Sequence, residues 1–210
     1  MRTLFTGITE DIEKLRQHYG QDVVCTPLIE ITELDDINSL KEACKQLINY
    51  DYLLFTSRFA VRHCISLCTQ IPPTLRIVSI GTTTTAELHK AGISNVEQVD
   101  KDNSYGVVEW FEQQARGKIL FPRSDIALPI ICDGLKKLGF DVHAITAYKN
   151  RMPINPTKVN IDDFDQIVFT SPSTVNHFVE LYGALPTNKK LVARGPITQQ
   201  AINNQLIKQQ

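Results

Sequence analysis

Two blocks of this sequence align without a gap. Asp51-Tyr52-Leu53-Leu54-Phe55-Thr56-Ser57-Arg58-Phe59-Ala60-Val61-Arg62-His63 matches Asp165-Gln166-Ile167-Val168-Phe169-Thr170-Ser171-Pro172-Ser173-Thr174-Val175-Asn176-His177 at an offset of 114 (165 − 51). Gly81 and Thr84 match Gly195 and Thr198 at the same offset. Two blocks at one constant spacing point to two similar half-molecules. A weaker echo joins Leu4-Phe5-Thr6, with a helical pattern closing at Tyr19-Gly20, to Leu120-Phe121-Pro122, with a pattern closing at Leu138-Gly139.

Within and around these blocks, short apolar runs alternate with amphipathic stretches. Leu4-Phe5 precedes a predicted helix from Ile8 to Tyr19, and Val23-Val24-Cys25 follows as a strand. Strands at 52–55, 76–80, 119–121, 166–169 and 191–193 each precede a helical pattern, at about 60–68, 84–91, 126–138, 175–182 and 198–206. Near-continuous apolar strands alternating with helices mark parallel sheets covered on both faces, so the fold class is doubly wound α/β.

The order of the units leaves two arrangements open. The strand–helix–strand unit at 1–27 precedes the first Phe-Thr-Ser block, whereas its echo at 118–146 lies between the two. The residues slightly favour tandem domains. If the extended segments 26–32 and 144–150 instead cross side by side between lobes, the middle of the chain is an insertion.

Composition bounds the partners. The 210 residues carry 22 Lys+Arg against 23 Asp+Glu, a net charge of −1, and 42% hydrophobic residues, which fits a globular protein and excludes a disordered or collagen-like chain. A near-neutral chain lacks the basic surface of a general nucleic-acid binder, so none is expected as a partner. Five scattered cysteines without a C-x-x-C pair read as free thiols in a reducing compartment. With no signal-length or membrane-length apolar run, a cytoplasmic location and no membrane partner are expected.

Chemistry in a parallel α/β sheet belongs at the carboxyl ends of the strands, where helix N-termini offer free N–H groups to anions. Those turns carry hydroxyl residues here: Thr56-Ser57, Thr82 to Thr85, Ser124, and Thr170-Ser171-Pro172-Ser173. Each can cap its helix or donate to an anion. Their recurrence in both halves favours a polyanionic small molecule as ligand. Arg58, Arg62, Arg123, Lys149, Arg151 and Arg194 lie near the turns and could each pair with a carboxylate. His63 and His177 occupy matched positions, with no acid or nucleophile pattern to make a triad. Cys64 and Cys68 sit one helical turn apart beside His63, but a structural zinc needs a second pair of ligands and core packing accounts for them better. There is no P-loop, G-x-G-x-x-G, G-x-S-x-G or H-E-x-x-H, so no metal, nucleotide or flavin cofactor is expected. Tyr148, in the segment read as a crossover, either packs there or reaches a cleft as a proton donor to a leaving group.

Taken in order, Asp-x-x-x-Phe-Thr-Ser at 51–57 and 165–171, Ile80-Gly81 followed by Thr84, Phe121-Pro122-Arg123-Ser124, Ala147-Tyr148 and Gly195-Pro196-Ile197-Thr198 resemble uroporphyrinogen-III synthase from end to end. The resemblance implies two similar doubly wound parallel-sheet, flavodoxin-like domains joined by a two-stranded crossover, with the active-site cleft between them. It implies a discontinuous domain of residues 1–32 and 152–210, an inserted domain of 36–146, and crossovers at about 28–35 and 147–152, against the tandem reading. The implied reaction is a cofactor-free lyase step in haem, sirohaem or corrinoid synthesis. Hydroxymethylbilane loses its hydroxyl to give an azafulvene cation, rearranges through a spiro-pyrrolenine, and closes to uroporphyrinogen III with its last ring inverted.

Carried over by position, Tyr148 corresponds to the family's cleft tyrosine, thought to assist departure of the hydroxyl. Thr56, Ser57, Arg58, Thr84, Arg123, Ser124, Ser171, Ser173, Gly195 and Thr198 correspond to substrate-facing turns. A monomer is implied, with at most transient contact with the preceding deaminase. Two departures stand out. Thr6-Gly7-Ile8 replaces the Thr-Arg-Pro of many bacterial members, and Ile197 stands where many have a second hydroxyl residue. The alternatives are a non-catalytic two-lobed module binding a polyanionic metabolite, for which 210 residues leave no space for an output domain, and a flavin protein, which would be yellow.

Overall fold

Leu4 and Phe5, each 1% exposed, anchor the first strand, β1 (Thr3–Phe5), in a computed structural model that describes residues 1–209. Helix α1 (Ile12–Tyr19) follows, shorter than the predicted 8–19. Thr9 and Asp11 bond to each other, and the Asp11 carboxylate accepts the Lys14 N–H at 3.0 Å, so the helix begins beyond Asp11 and leaves Ile8 outside it. Gly20, at φ +98°, ends α1, and β2 (Val23–Cys25) then pairs parallel to β1.

The next segment builds a larger sheet. Its elements are β3 (Glu30–Thr32), α2 (Asn38–Lys45), a 3-10 turn (Leu47–Asn49), β4 (Tyr52–Phe55), α3 (Arg58–Ile65), β5 (Arg76–Ile80), α4 (Gly81–Lys90), β6 (Glu97–Val99), α5 (Ser104–Glu112), β7 (Lys118–Ser124), α6 (Ile130–Lys137) and β8 (Asp141–Arg151). The strand order is β3-β8-β7-β4-β5-β6, and the five strands from β8 to β6 run parallel. Alternate residues serve opposite faces: Leu53, Phe55, Ile77 and Leu120 pack with α2, α3 and α4, while Tyr52, Leu54, Val78, Ile119 and Phe121 pack with α5 and α6. Helix α6 is shorter than the predicted 126–138 because its N-cap is Pro129; Ile126 and Leu128, each 46% exposed, stay in the preceding loop. Helix α4 instead starts three residues earlier than predicted, at Gly81.

The chain then returns to the first sheet with β9 (Gln166–Phe169), α7 (Pro172–Tyr182), β10 (Lys190–Ala193) and α8 (Pro196–Lys208), giving an all-parallel order β10-β9-β1-β2. Leu4, Ile167 and Phe169 face α7 and α8, and Phe5, Val23 and Val168 face α1. By internal packing, Met1–Glu30 and the chain from Arg151 onward form one unit, and Ile31–Asn150 forms the other.

The two sheets share one plan. In the smaller, Thr3 pairs with Gln166, Leu4 with Ile167, and Lys190 with Gln166. In the larger, Ile119 pairs with Tyr52, Leu120 with Leu53, and Arg76 with Tyr52, the same residues under the repeat. Thus β10-β9-β1-β2 corresponds strand for strand to β5-β4-β7-β8, with the chain entering the pattern at a different strand. The aspartate opening each block has one job in both units. Asp51 accepts the Lys118 N–H at 2.7 Å, and Asp165 accepts the Arg2 N–H at 2.6 Å, tying the start of the block's strand to its neighbour. Gly117 lets Asp51 come close, since a Cβ there would lie 2.4 Å from the carboxylate.

Candidate active site

The helices α3, α4, α7 and α8 each start directly after a parallel strand, so the sequence-predicted turns fall at the carboxyl edges of the two sheets. The two matched Phe-Thr-Ser turns use their serines alike. Ser57 is the N-cap of α3 and accepts the Phe59 N–H at 3.1 Å. Ser171 caps α7 in a capping box with Thr174, and its Oγ also lies 2.8 Å from Oγ of Ser173. The second pair of helices has no side-chain cap. Helix α4 is entered through Ile80 and α8 through Gly195. Their matched threonines, Thr84 and Thr198, lie in the first turn and are buried, at 5% and 4% exposure.

Those two uncapped turns differ in what stands before them. Gly81 has φ +69°, and a Cβ there would meet the Asp102 carboxylate at 2.5 Å, so a negative group already sits beside the α4 turn. Gly195 is extended, at φ −166°, with open space where its Cβ would be. An incoming carboxylate therefore meets a neighbouring anion at α4 and none at that position before α8.

Tyr148 lies on β8, which runs unbroken from Asp141 to Arg151 and pairs with β7 through a bulge that sets Ser124 opposite Tyr148. The side chain is 6% exposed and packs between Phe59 and His63, each with ring centroids 6.0 Å from its own. Its hydroxyl donates to Oγ of Ser57 at 3.1 Å. Burial pushes the phenol above the ordinary tyrosine range; the Ser57 hydrogen bond opposes that shift and the Asp125 carboxylate adds to it. The group is thus a neutral acid at physiological pH. Asp125 is fixed by the Asn150 N–H at 3.0 Å and stands 3.2 Å from the Ser124 hydroxyl, so Ser124 is engaged within its own turn.

Thr56 and Arg58 flank Ser57, half-buried, and the Arg58 guanidinium lies 4.9 Å from the centroid of the Phe59 ring. Arg123, on β7, donates to Sγ of Cys132 at 3.3 Å. Arg62 forms a two-pronged pair with Glu87, and Lys149 pairs with Asp35. A groove of about 400 Å³ between the later turns of α3 and α4, lined by Val61, Ile65 and Ala91, lies toward the helix C-termini, the wrong end for an anion. The sequence reading missed Phe59, His63 and Asp125 as the surroundings of Tyr148. Only the repeat, which placed His63 on the helix after Ser57, carried a trace of them.

These observations define a class: a parallel α/β protein with twin hydroxyl-capped turns at the carboxyl ends of its strands and a buried neutral phenol beside one of them. The chain belongs to the uroporphyrinogen-III synthase (HemD) family, whose model matches residues 10–210. It is 27% identical to a putative uroporphyrinogen-III synthase of Methanothermobacter thermautotrophicus, over 90% of this chain and 82% of that one. It is 26% identical to the uroporphyrinogen-III synthase of Chlorobaculum parvum, over 91% and 83%. Its fold is similar to a crystal structure of mutant uroporphyrinogen III synthase from Thermus thermophilus (TM-score 0.64, 18% identity, 97% of this chain and 88% of that one). The Helicobacter pylori uroporphyrinogen-III synthetase is also similar (TM-score 0.58, 15% identity, 98% and 89%). Among the described residues no helix is long and apolar enough to cross a membrane.

Proposed function

We propose that this chain acts as a uroporphyrinogen-III synthase, a cytoplasmic, monomeric lyase. It converts hydroxymethylbilane to uroporphyrinogen III with loss of water and inversion of the last ring, supplying haem, sirohaem or corrinoid synthesis. The observation that carries this reading, given the family, is the Tyr148–Ser57 pair. The leaving hydroxyl needs a proton, and Tyr148 holds one in a buried setting that keeps it in place at neutral pH. As that proton moves to the substrate oxygen, water departs and a phenolate is left. Ser57 accepts from both Phe59 and Tyr148, so its own hydroxyl can turn to donate to the phenolate, the direction in which it already lowers the pKa.

The rest of the task is conformational. Hydroxymethylbilane closes unaided to the type I isomer, so an enzyme has to hold the chain in the geometry that inverts the ring and do so faster. Each pyrrole carries an acetate and a propionate. Both units offer suitable donors at their sheet edges: the turns at Thr56 to Arg58 and at Arg123 and Ser124 in one, those at Ser171, Ser173, Gly195 and Thr198 in the other, with Thr84 shaping the start of α4. Freshly generated hydroxymethylbilane supplied to the protein, with the products resolved by chromatography, tests the proposal. Type III isomer formed faster than the spontaneous rate supports it; type I alone at the spontaneous rate overturns it.

A further inference from the structure

Cys44 near the end of α2, Cys64 on α3 and Cys68 just beyond it bring three sulfur atoms within 4.8 Å of one another. The Cys44 and Cys64 sulfurs are 3.5 Å apart, and the Cys68 thiol donates to the Cys64 carbonyl at 3.4 Å. Cys44 and Cys64 are buried in the apolar cluster that includes Leu40, Leu47, Ala60 and Val61, while Cys68 is half-buried and gives access from solvent. No histidine or carboxylate joins the group among the described residues.

This donor set is selective. Three sulfurs with no oxygen or nitrogen ligand reject hard cations, which take oxygen. Zinc in a structural site takes four ligands, and the fourth is missing. The remaining fit is an ion content with three sulfurs. Charge narrows it further. The side chains packed in the cluster around the sulfurs, Leu40, Leu47, Ala60 and Val61 among them, are hydrophobic and bring no counter-charge. A monovalent or divalent ion on three thiolates would leave net negative charge in an apolar core, which is costly. A trivalent centre on three thiolates is neutral.

We infer that Cys44, Cys64 and Cys68 form a binding site for a trivalent, thiophilic metalloid of the arsenous acid class. Binding exchanges ligands without redox change: three S–H and three As–O bonds break, three As–S and three O–H bonds form, and three waters leave. The site lies within one unit and is independent of the activity proposed above.

The test uses the full reduced chain, kept reduced with a phosphine because dithiols compete for the metalloid, and arsenite as probe. One arsenic per chain in native mass spectrometry, with the loss of three protons and a raised Tm, is expected. Cys68→Ser, at the accessible position, should weaken arsenite binding by more than about 100-fold, beyond the 10–100-fold typical of losing an outer partner of a metal ligand. Cys44→Ala checks the same point from α2, and circular dichroism verifies the fold of both. A Cys25→Ser/Cys132→Ser protein should bind as the parent does. The inference is overturned if no adduct forms, if it survives Cys68→Ser or Cys44→Ala in folded protein, if it is lost with Cys25 and Cys132, or if zinc or copper(I) binds while arsenite does not.

Discussion

The Tyr148 phenol donates to Oγ of Ser57 across 3.1 Å, and that same oxygen receives the Phe59 N–H that starts α3. One serine therefore caps a helix and holds a buried phenol. Ser57→Ala removes the cap, worth about 0.5–2 kcal/mol, and orphans a buried hydroxyl at a further cost of about 1–3 kcal/mol. Tyr148→Phe loses only the hydrogen bond, about 1 kcal/mol. The double variant should cost less than the sum of the two by about 1–3 kcal/mol, because no hydroxyl is left to orphan, read from denaturant midpoints at unchanged m-value. Strict additivity would mean that the hydrogen bond contributes nothing.

In turnover the same pair separates differently. Tyr148→Phe keeps the ring between Phe59 and His63 but removes the proton, so kcat should fall by on the order of 10²–10⁴-fold with KM little changed. A rate equal to the parent's would take Tyr148 out of the mechanism.

The pH dependence follows from the direction of the Tyr148 shift. Burial raises its pKa above the unfolded value near 10, so its contribution to stability is complete below that value and is lost as pH rises through the higher folded pKa. No limb belonging to Tyr148 is expected between neutral pH and about pH 10. Subtracting the tyrosinate absorbance titration of Tyr148→Phe from that of the parent isolates this group. A difference with its midpoint at or below the ordinary tyrosine value would contradict the buried setting.

Much of the fold was legible because parallel strands covered on both faces are built largely of apolar residues, as Tyr52–Phe55 of β4 and Ile167–Phe169 of β9 are. The polar edge strand β6, reading Glu-Gln-Val, escaped notice for the same reason, and α2 and α5 went unread between the stronger runs. The repeat read as two blocks and a faint echo because the two sheets share strand order and register while the chain visits their strands in different sequence. The turns of the site were visible as hydroxyl-rich segments after strands. The partners of Tyr148 were not: Ser57 is 91 residues away and is brought to it only because β8 and β4 both neighbour β7. Likewise Cys64 and Cys68 were seen together, but Cys44 lies 20 residues before Cys64 on another helix, and nothing local announces that the three sulfurs meet.

Gly7, in the turn after β1, has a local reason to be glycine in this chain. A Cβ there would lie 2.5 Å from Cγ2 and 2.6 Å from Oγ1 of Thr170, so the two residues share one space. Gly7→Ala should destabilise by about 1–3 kcal/mol through overpacking. Thr170→Ala clears both of those atoms, so the double variant should recover part of the loss. If Gly7→Ala unfolds at the parent's denaturant midpoint, the close approach places no constraint on this position.

Gly195 offers the cleanest separation of folding from binding. It precedes Pro196 at the start of α8 with no side chain to cap the helix, its backbone is extended, and its missing Cβ would meet nothing. Nothing in the fold therefore demands glycine. Serine is at least as good an N-cap, so Gly195→Ser should leave Tm unchanged or raise it by the equivalent of a few tenths of a kcal/mol. If the bare turn receives a substrate carboxylate, the new hydroxymethyl group occupies that space and its oxygen competes for the same N–H groups. KM should then rise while the folded state gains stability. The opposite pattern, lost stability with KM unchanged, would show that the turn serves packing and not substrate.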